Sequence, residues 1–555
     1  MRYSGAQIII KLLEKYGIDI IAGIPGGANL PLYNALCESK IRHILVRHEQ
    51  AAGFIAQGIT RSTGKPSVCF ATSGPGVTNL LTAIADAKLD SIPIIAITGQ
   101  VATFLIGTDA FQEVDTYGMT IPITKHNFLV KSAHELLKVI PEAFKIAVSG
   151  RPGPVVIDVP KDVQNEQIEF DSWPKFAAPQ QTHKIGSQSA KKIAQMINES
   201  EKPLMYIGGG IIASGAQGLV YKLARKNSIP VALTLTGLGA FSPCNKLYLG
   251  MLGMHAATYT NFIVEEADLI LAFGVRFDDR ATGLSQKFCR NAKIIHIDID
   301  NAEIDKIKKA DFSICADIKK ALEEFIPFVG KNERRNWLLQ INDKRKKHPI
   351  FVPKDKLHPI NIIKAINSLV SDDTIITTDV GQHQMWVAQS YAFKKPRTLL
   401  TSGGLGTMGF GLPAAIGAAL KNRGKRTICI SGDGSILMNI QELATLAELN
   451  LDVTIIIMNN GHLGLVRQQQ EFFYGKKYIA SQFLARHSFR KIAESFGIRA
   501  FEIDSEKNAY SALAKALKSK GPTLVDINIH HAYNVIPMVV PGKSNLEMMG
   551  GNIYE

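Results

Sequence analysis

The sequence predicts an α/β protein of doubly wound parallel sheets arranged in three domains. Three observations predict it. Short apolar runs of five to eight residues recur between stretches of helical periodicity, as expected for strands buried on both faces. Several runs lead into glycines or a carboxylate just before the next helix: Thr72-Ser73-Gly74-Pro75-Gly76, Gly208-Gly209-Gly210 and Ser431-Gly432-Asp433-Gly434-Ser435. In such sheets, strand-to-helix turns of this kind line the ligand crevice. The chain has 555 residues, 46% hydrophobic and 20% charged. That is enough for about three to four ordinary domains with large cores.

Residues 1–165 make the first domain. Residues 1–11 read as an amphipathic helix, because their apolar run is too short and too soon interrupted for a signal or membrane-spanning segment. Strands are expected at 20–24, 41–46, 67–71, 92–98 and 155–159. Pro25-Gly26-Gly27 turns the chain after the first. Glu49 follows the second, in a segment that opens a helix. A carboxylate there is favoured by the helix macrodipole alone, but it also stands at the mouth of the sheet. Segment 106–114 is not periodic and reads as an ordered loop, in which Phe111 and Gln112 have ordinary packing and turn roles.

Residues 165–188 turn polar and read as a linker. The second domain, 189–327, opens with a helix at 190–198. Strands are expected at 203–207, 229–234, 269–273 and 293–297. Glycines after a strand suit a phosphate turn, and an acidic residue at a strand end suits a ribose, although a plain structural sheet explains both. A second linker, rich in Lys, Arg and Asn, is expected at 328–356.

The third domain, 357–555, has a strand at 374–378 and a glycine-rich loop, 401–413, entering an Ala-rich helix. Its centre is the stretch from Ser431 to Asn460: a strand at 426–430, a helix at 436–449 and a strand at 451–458. Asp433 and Asn460 are 27 positions apart, about one βαβ crossover, so each lies at the carboxyl end of one of two neighbouring strands. An Asp and an Asn there offer hard oxygen ligands for Mg²⁺ beside a phosphate. The glycines between leave backbone N–H groups free to donate to a diphosphate.

The net charge is +14, from 63 Lys and Arg against 49 Asp and Glu. The lysines are spread along the chain, so the charge does not make a nucleic-acid site. It suits anionic substrates or an acidic partner subunit. The six cysteines, Cys37, Cys69, Cys244, Cys289, Cys315 and Cys429, are scattered without a CxxC. This fits reduced thiols in a cytoplasmic protein and no disulfide framework or zinc site.

The GDGS element with Asn459-Asn460 at this spacing resembles the thiamin-diphosphate (ThDP) signature. The resemblance makes Asp433 and Asn460 side-chain Mg²⁺ ligands, with the His462 carbonyl as a third. It makes Glu49 the glutamate that binds N1′ of the pyrimidine and drives its imino tautomer, whose nitrogen takes the thiazolium C2 proton. It puts Val380, Gly381, Gln382 and His383, with Gly432, Gly434 and Ser435, at the diphosphate. Gly406 meets the aminopyrimidine, and Met408 props the cofactor into its bent shape.

Longer matches narrow the family. Gly107-Thr-Asp-Ala-Phe-Gln-Glu-Val-Asp115, Arg151-Pro-Gly-Pro-Val155, Pro160-Lys161-Asp162 and Gly274-Val-Arg-Phe-Asp-Asp-Arg280 resemble the acetohydroxyacid synthase (acetolactate synthase) catalytic subunits. The likeness covers nearly the whole chain. It implies three ThDP-enzyme domains, for pyrimidine, FAD and diphosphate. It implies pyruvate decarboxylation and ligation of the two-carbon unit to a second pyruvate or to 2-oxobutyrate, early in branched-chain amino-acid biosynthesis. Gly26, Phe111, Gln112 and Lys161 then line the active site, and Arg280 holds the acceptor carboxylate. Arg151, Gly208, Gly209, Gly210, Thr234, Leu252, His255, Gly274, Arg276, Asp298 and Asp317 fall at positions of a structural FAD.

Two departures stand out. Val275 replaces the usual Ala of GARFDDR. Gln469 replaces the commonest Trp, which favours the larger acceptor, so little preference for 2-oxobutyrate is expected. The Gln form resembles one bacterial biosynthetic isozyme type. A homodimer or tetramer with a small regulatory subunit, and no nucleic acid or membrane, completes the expectation. The rivals are an FAD-independent catabolic acetolactate synthase, another ThDP decarboxylase or oxidase, and a scaffold without chemistry. The RFDDR and GTDAFQE matches speak against the rival enzymes, and intact Glu49, Asp433 and Asn460 speak against the scaffold.

Overall fold

Three six-stranded parallel sheets organise the chain. The computed structural model describes residues 1–175, 184–485 and 487–550. Residues 176–183 of the expected first linker, and 486 and 551–555 of the expected third domain, lie outside the described residues.

The first sheet runs Arg42–Leu45, Ile20–Gly23, Ser67–Ala71, Ile94–Gln100, Val155–Pro160 and His126–Leu129. The third runs Leu399–Leu400, Ile375–Thr378, Thr427–Gly432, Val453–Asn459, Thr523–Asn528 and Arg499–Ile503. Numbered along the chain within each sheet, both have the order 2-1-3-4-6-5. The middle sheet runs Tyr248–Met251, Val231–Leu233, Pro203–Ile207, Leu269–Phe273, Lys293–Asp298 and Phe312–Cys315, the order 3-2-1-4-5-6. Every pairing in these sheets is parallel. Each therefore reverses its strand order beside its first strand, and the crevice outside that point is where such folds take ligands.

The expected strands form, with ends shifted by one or two residues. The edge strands His126–Leu129, Tyr248–Met251, Phe312–Cys315 and Arg499–Ile503 were not expected, and their partial exposure explains the weak apolar signal. The N-terminus corrects the helix expected over 1–11: Arg2–Ser4 is a strand, paired antiparallel with Gln167–Glu169, and the helix is Gly5–Lys15. Ser4 caps that helix with a capping box to Gln7. The start of the expected first linker is thus sheet, not free chain.

The second linker is corrected as well. Helix Arg335–Lys347 lies inside it and packs on the middle domain through Trp337, whose indole N–H donates to Pro203 O at 3.2 Å. Its last turn carries Lys344 to Lys347, cations that suit a helix C-terminus. The helix expected at 436–449 is two, Asp433–Ile436 and Glu442–Leu449.

The first and third domains share one core. Helix Glu49–Thr63 crosses helix Gly411–Lys421 closely enough that a Cβ on Gly417 would stand 2.1 Å from Ile55 O, and one on Gly58 would stand 2.2 Å from Ala414 O. Phe54 meets Phe410 edge to face at 5.3 Å between centroids. Among the described residues no helix is long and apolar enough to cross a membrane.

Candidate active site

The reversal point of the first sheet gathers Gly26, Glu49 and Gln112 around the turn after strand Ser67–Ala71. A Cβ on Gly26 would meet Thr72 Oγ1 at 2.6 Å, and one on Gly76 would lie 3.6 Å from Glu49 Oε1. Gly74, at φ +58°, backs onto Gln112 O. Glu49 opens its helix, and His48 caps it by accepting from Gln50 N at 3.2 Å. The Glu49 carboxylate is buried and accepts from Asn79 Nδ2 at 2.9 Å. Asn79 had no signal in the sequence beyond its place in a helix. Lys161 opens the helix after strand Val155–Pro160 and is exposed. Its neighbour Asp162 accepts from Thr103 N at 3.0 Å and so fixes the start of the loop that carries Phe111. Phe111 itself is 89% exposed in this single chain.

At the reversal point of the third sheet, Asp433 and Asn460 follow adjacent strands, as the spacing predicts. Asp433 is buried, and burial pushes its carboxyl up to about 7 against backbone donors at Gly434 and Gly461. Asp526 is the charge acting on it, and that pushes the same way. Among the described residues no salt bridge reaches Asp433, and a buried carboxylate with only backbone donors suits a divalent cation. Asn460 Oδ1 accepts from His462 N at 2.9 Å, and Asn460 Nδ2 donates to Gln382 Oε1 at 3.2 Å. Asp433 and Asn460 thus stand at the ends of paired strands, with the His462 N–H held by the Asn460 side chain.

The backbone beside it suits a diphosphate. Gly381 caps helix Gln382–Ser390 without a side-chain hydrogen bond, and a helix N-terminus of this kind suits an anion. His383 is buried behind Gly381 and Gly432, and burial pushes its imidazole down to about 3, so it stays neutral. Among the described residues its Nε2 has no hydrogen-bond partner, and a phosphate would supply one. Ser435 Oγ donates to Val380 O at 2.6 Å. The Gln382 side chain turns away and donates to Gln468 Oε1 and Tyr533 O, both at 2.9 Å. That leaves Gln382 its backbone for a ligand.

The glycine-rich loop carries Gly406, exposed at φ +71°, and half-buried Met408. Asn439 donates both to Gly409 O at 2.8 Å and to Gln50 Oε1 at 2.9 Å. Glu442 accepts from Arg47 N at 2.9 Å. Among the described residues no hydrogen bond joins the Glu49 side chain to the Asp433 group.

In the middle domain Gly208, Gly209 and Gly210 stand at the reversal point, Gly208 and Gly210 against Gly274 at φ +59° and Gly209 facing Thr236. A Cβ on Gly208 would lie 2.3 Å from Gly274 O, and one on Gly210 would lie 2.7 Å from Gly274 Cα. Gly208 and Gly210 have no room for a side chain, and such a turn suits a dinucleotide diphosphate. Thr234 caps the next turn by accepting from Gly237 N at 3.0 Å, and Leu252 is buried beside it. His255 is buried, its Nδ1 has no hydrogen-bond partner among the described residues, and burial pushes it down to about 4. Asp298 accepts from Asp300 N at 2.9 Å, and Asp317 caps helix Ile318–Phe325. Arg276 lies 3.6 Å from Asp278, and Arg151 pairs with Glu303 at 2.6 Å and Asp300 at 3.3 Å.

Arg280 faces a cavity of about 350 Å³ whose far wall is Val539, Val540, Pro541 and Gly542. The C-terminal segment reaches it by pairing Val539 N with Met254 O at 2.8 Å and Leu284 N with Lys543 O at 2.9 Å. Gln469 is exposed on helix Gly464–Phe473. Its neighbour Gln468 is buried and grips the C-terminal segment, accepting from Val535 N at 2.7 Å and donating to Val535 O at 3.0 Å.

Comparison with known proteins follows the same three-part division. The description "Thiamine pyrophosphate enzyme, N-terminal TPP binding domain" matches residues 3–119. The corresponding central domain matches 190–325, and the C-terminal TPP binding domain matches 379–527. The chain is 51% identical over 552 residues to the acetolactate synthase isozyme 1 large subunit of Escherichia coli (strain K12), spanning 99% of this chain and 98% of that one. It is 44% identical over 562 residues to the acetolactate synthase large subunit of Parasynechococcus marenigrum (strain WH8102), spanning 99% and 91%. With the isozyme 2 large subunit of Escherichia coli (strain K12) the identity is 42% over 549 residues, spanning 98% and 99%.

Proposed function

The chain belongs to the acetolactate synthase large-subunit family of thiamine pyrophosphate enzymes, and from that premise we propose how its own residues serve the reaction. Two pyruvates give 2-acetolactate and CO₂, and pyruvate with 2-oxobutyrate gives 2-aceto-2-hydroxybutyrate and CO₂. ThDP, when bound, supplies the electron sink for decarboxylation.

Glu49 holds the hydrogen bond to the cofactor pyrimidine and keeps the proton balance there. Asp433, Asn460 and the His462 carbonyl hold Mg²⁺. Val380, Gly381, Gln382 and His383, with Gly432, Gly434 and Ser435, seat the diphosphate, while Gly406 and Met408 shape the ring end. Arg280 binds the acceptor carboxylate, since a planar guanidinium matches that geometry. Gly26, Phe111, Gln112 and Lys161 line the substrate side, and Gln469 tunes the acceptor. FAD sits structurally on the Gly208–Gly210 cradle with the remaining middle-domain residues. The observation that carries the reading is the pair of like-ordered sheets, one bearing Glu49 and the other Asp433 and Asn460 at the reversal point. We place the enzyme in the cytoplasm as a homodimer or tetramer with a small regulatory subunit.

The test is acetolactate formation by purified protein with Mg²⁺, ThDP and FAD. Glu49→Gln is expected to lose about 10²–10⁴-fold in rate, and Asp433→Ala to lose Mg²⁺-dependent retention of ThDP. A yellow chromophore released on denaturation marks FAD. Folded wild type that makes no acetolactate, with or without an added small subunit, overturns the proposal.

A further inference from the structure

We infer that Asp86 is a positioning residue that holds the glycine-rich loop, residues 401–408, in the shape that receives the cofactor ring and links it through one helix to Glu49. The inference rests on the function proposed above.

Asp86 belongs to the first domain, and the loop to the third. Asp86 Oδ1 accepts from Ser402 Oγ and, at 3.1 Å, from Thr407 Oγ1. Those two residues flank the glycines of the loop, and Thr407 N closes it onto Ser402 Oγ at 2.8 Å. Asp90, one turn further on, accepts from Gly403 N at 2.9 Å. Arg61 joins the two carboxylates, at 3.2 Å to Asp86 and 2.8 Å to Asp90, and donates to Thr401 O at 2.9 Å. The side chains of Arg61, Asp86 and Asp90 are 9%, 0% and 4% exposed, so these bonds are shielded from water. A Cβ on Gly403 would lie 2.8 Å from Thr236 Cγ2 of the middle domain and 3.5 Å from Asp90 Oδ1. The loop is therefore tied to the first domain by hydrogen bonds to two buried carboxylates and a buried guanidinium, with Thr236 of the middle domain packed close to Gly403.

The same helix, Pro75–Leu89, carries Asn79, which donates to Glu49 at 2.9 Å. Asn79 and Asp86 are seven residues apart, two turns on one face, roughly 10 Å along the axis. One rigid element thus spaces the carboxylate from the loop. No element of the proposed chemistry uses Asp86 directly.

The experiment measures ThDP affinity by calorimetry with Mg²⁺ and no substrate, alongside hydrogen exchange of the cofactor-free protein. Thr407→Val removes one donor and leaves the charged triad whole; Asp86→Asn keeps the shape and removes the charge. Both are expected to raise the Kd of ThDP about tenfold and to speed exchange of the Gly403 and Thr407 amides, with FAD content unchanged. Thr407→Ser keeps the hydroxyl and is expected to bind as wild type does. Leu80→Ala, buried in the same helix, lowers the melting temperature and is expected to leave the Kd unchanged. Thr407→Val and Asp86→Asn binding like wild type, or Leu80→Ala weakening binding as much as they do, would overturn this inference alone. Wild type that binds no ThDP overturns the proposed function and this inference with it.

Discussion

The Asn79 amide donates to the Glu49 carboxylate at 2.9 Å, so the catalytic candidate is oriented by the helix that follows the next strand. A hydrogen bond to a charged group is worth roughly 1.5–3 kcal/mol. Asn79→Ala is therefore expected to lower kcat for acetolactate at least about tenfold, with FAD retention unchanged. Steady-state kinetics at saturating ThDP decide it; an unchanged kcat would show that Glu49 needs no such support.

Acceptor choice is expected to follow Gln469. With pyruvate and 2-oxobutyrate at equal concentration the wild type should show little preference. Gln469→Trp should shift the product ratio toward 2-aceto-2-hydroxybutyrate by roughly 10–200-fold, the value of one apolar contact of about 1–3 kcal/mol. A wild type that already makes mainly the larger product contradicts the assignment.

The seam between the first and third domains has no room for a methyl group. Gly417→Ala would place a Cβ 2.1 Å from Ile55 O, and overpacking of this kind costs about 1–3 kcal/mol. Denaturant unfolding should show that loss. Gly218→Ala is the contrast: its Cβ meets nothing within 4 Å, and in a helix it should gain roughly 0.5–1 kcal/mol.

Acid should destabilise the fold through buried histidines. Burial pushes His358 down from 6.5 to about 4, and its Nδ1 caps helix Pro359–Leu369 by accepting from Ile360 N at 3.2 Å. The folded state holds this proton less tightly than the unfolded chain does. Its contribution is therefore fully present above pH 6.5 and is lost as pH falls toward 4. His358→Asn keeps a cap acceptor but cannot titrate. The melting temperature of the variant should fall less than that of wild type between pH 7 and pH 5; equal slopes would remove His358 from the account.

Much of the site was legible because it is local. Asp433 and Asn460 are one βαβ unit apart, and parallel connectivity sets their strands side by side, so spacing alone predicts their meeting. Gly208 to Gly210 are legible for the same reason, since a strand runs directly into them. Edge strands were missed because half-exposed strands such as Arg499–Ile503 mix polar and apolar residues. Helix Arg335–Lys347 reads as a linker in the sequence because only Trp337 and Ile341 in it are buried.

The sequence by itself determined the class of sheet, the strand ends that carry glycines and carboxylates, and the family resemblance borne by contiguous motifs. These depend on hydrophobic period and on connections of a few tens of residues. The tertiary structure decided which side chains support them. Helix phase turned Gln468 inward to the C-terminal segment and left Gln469 exposed. Packing brought Asp86 to Ser402, 316 positions away, and Asn439 to Gln50, 389 positions away. Such meetings depend on how whole domains dock, through close helix crossings and shared core, and no local pattern in the chain encodes them.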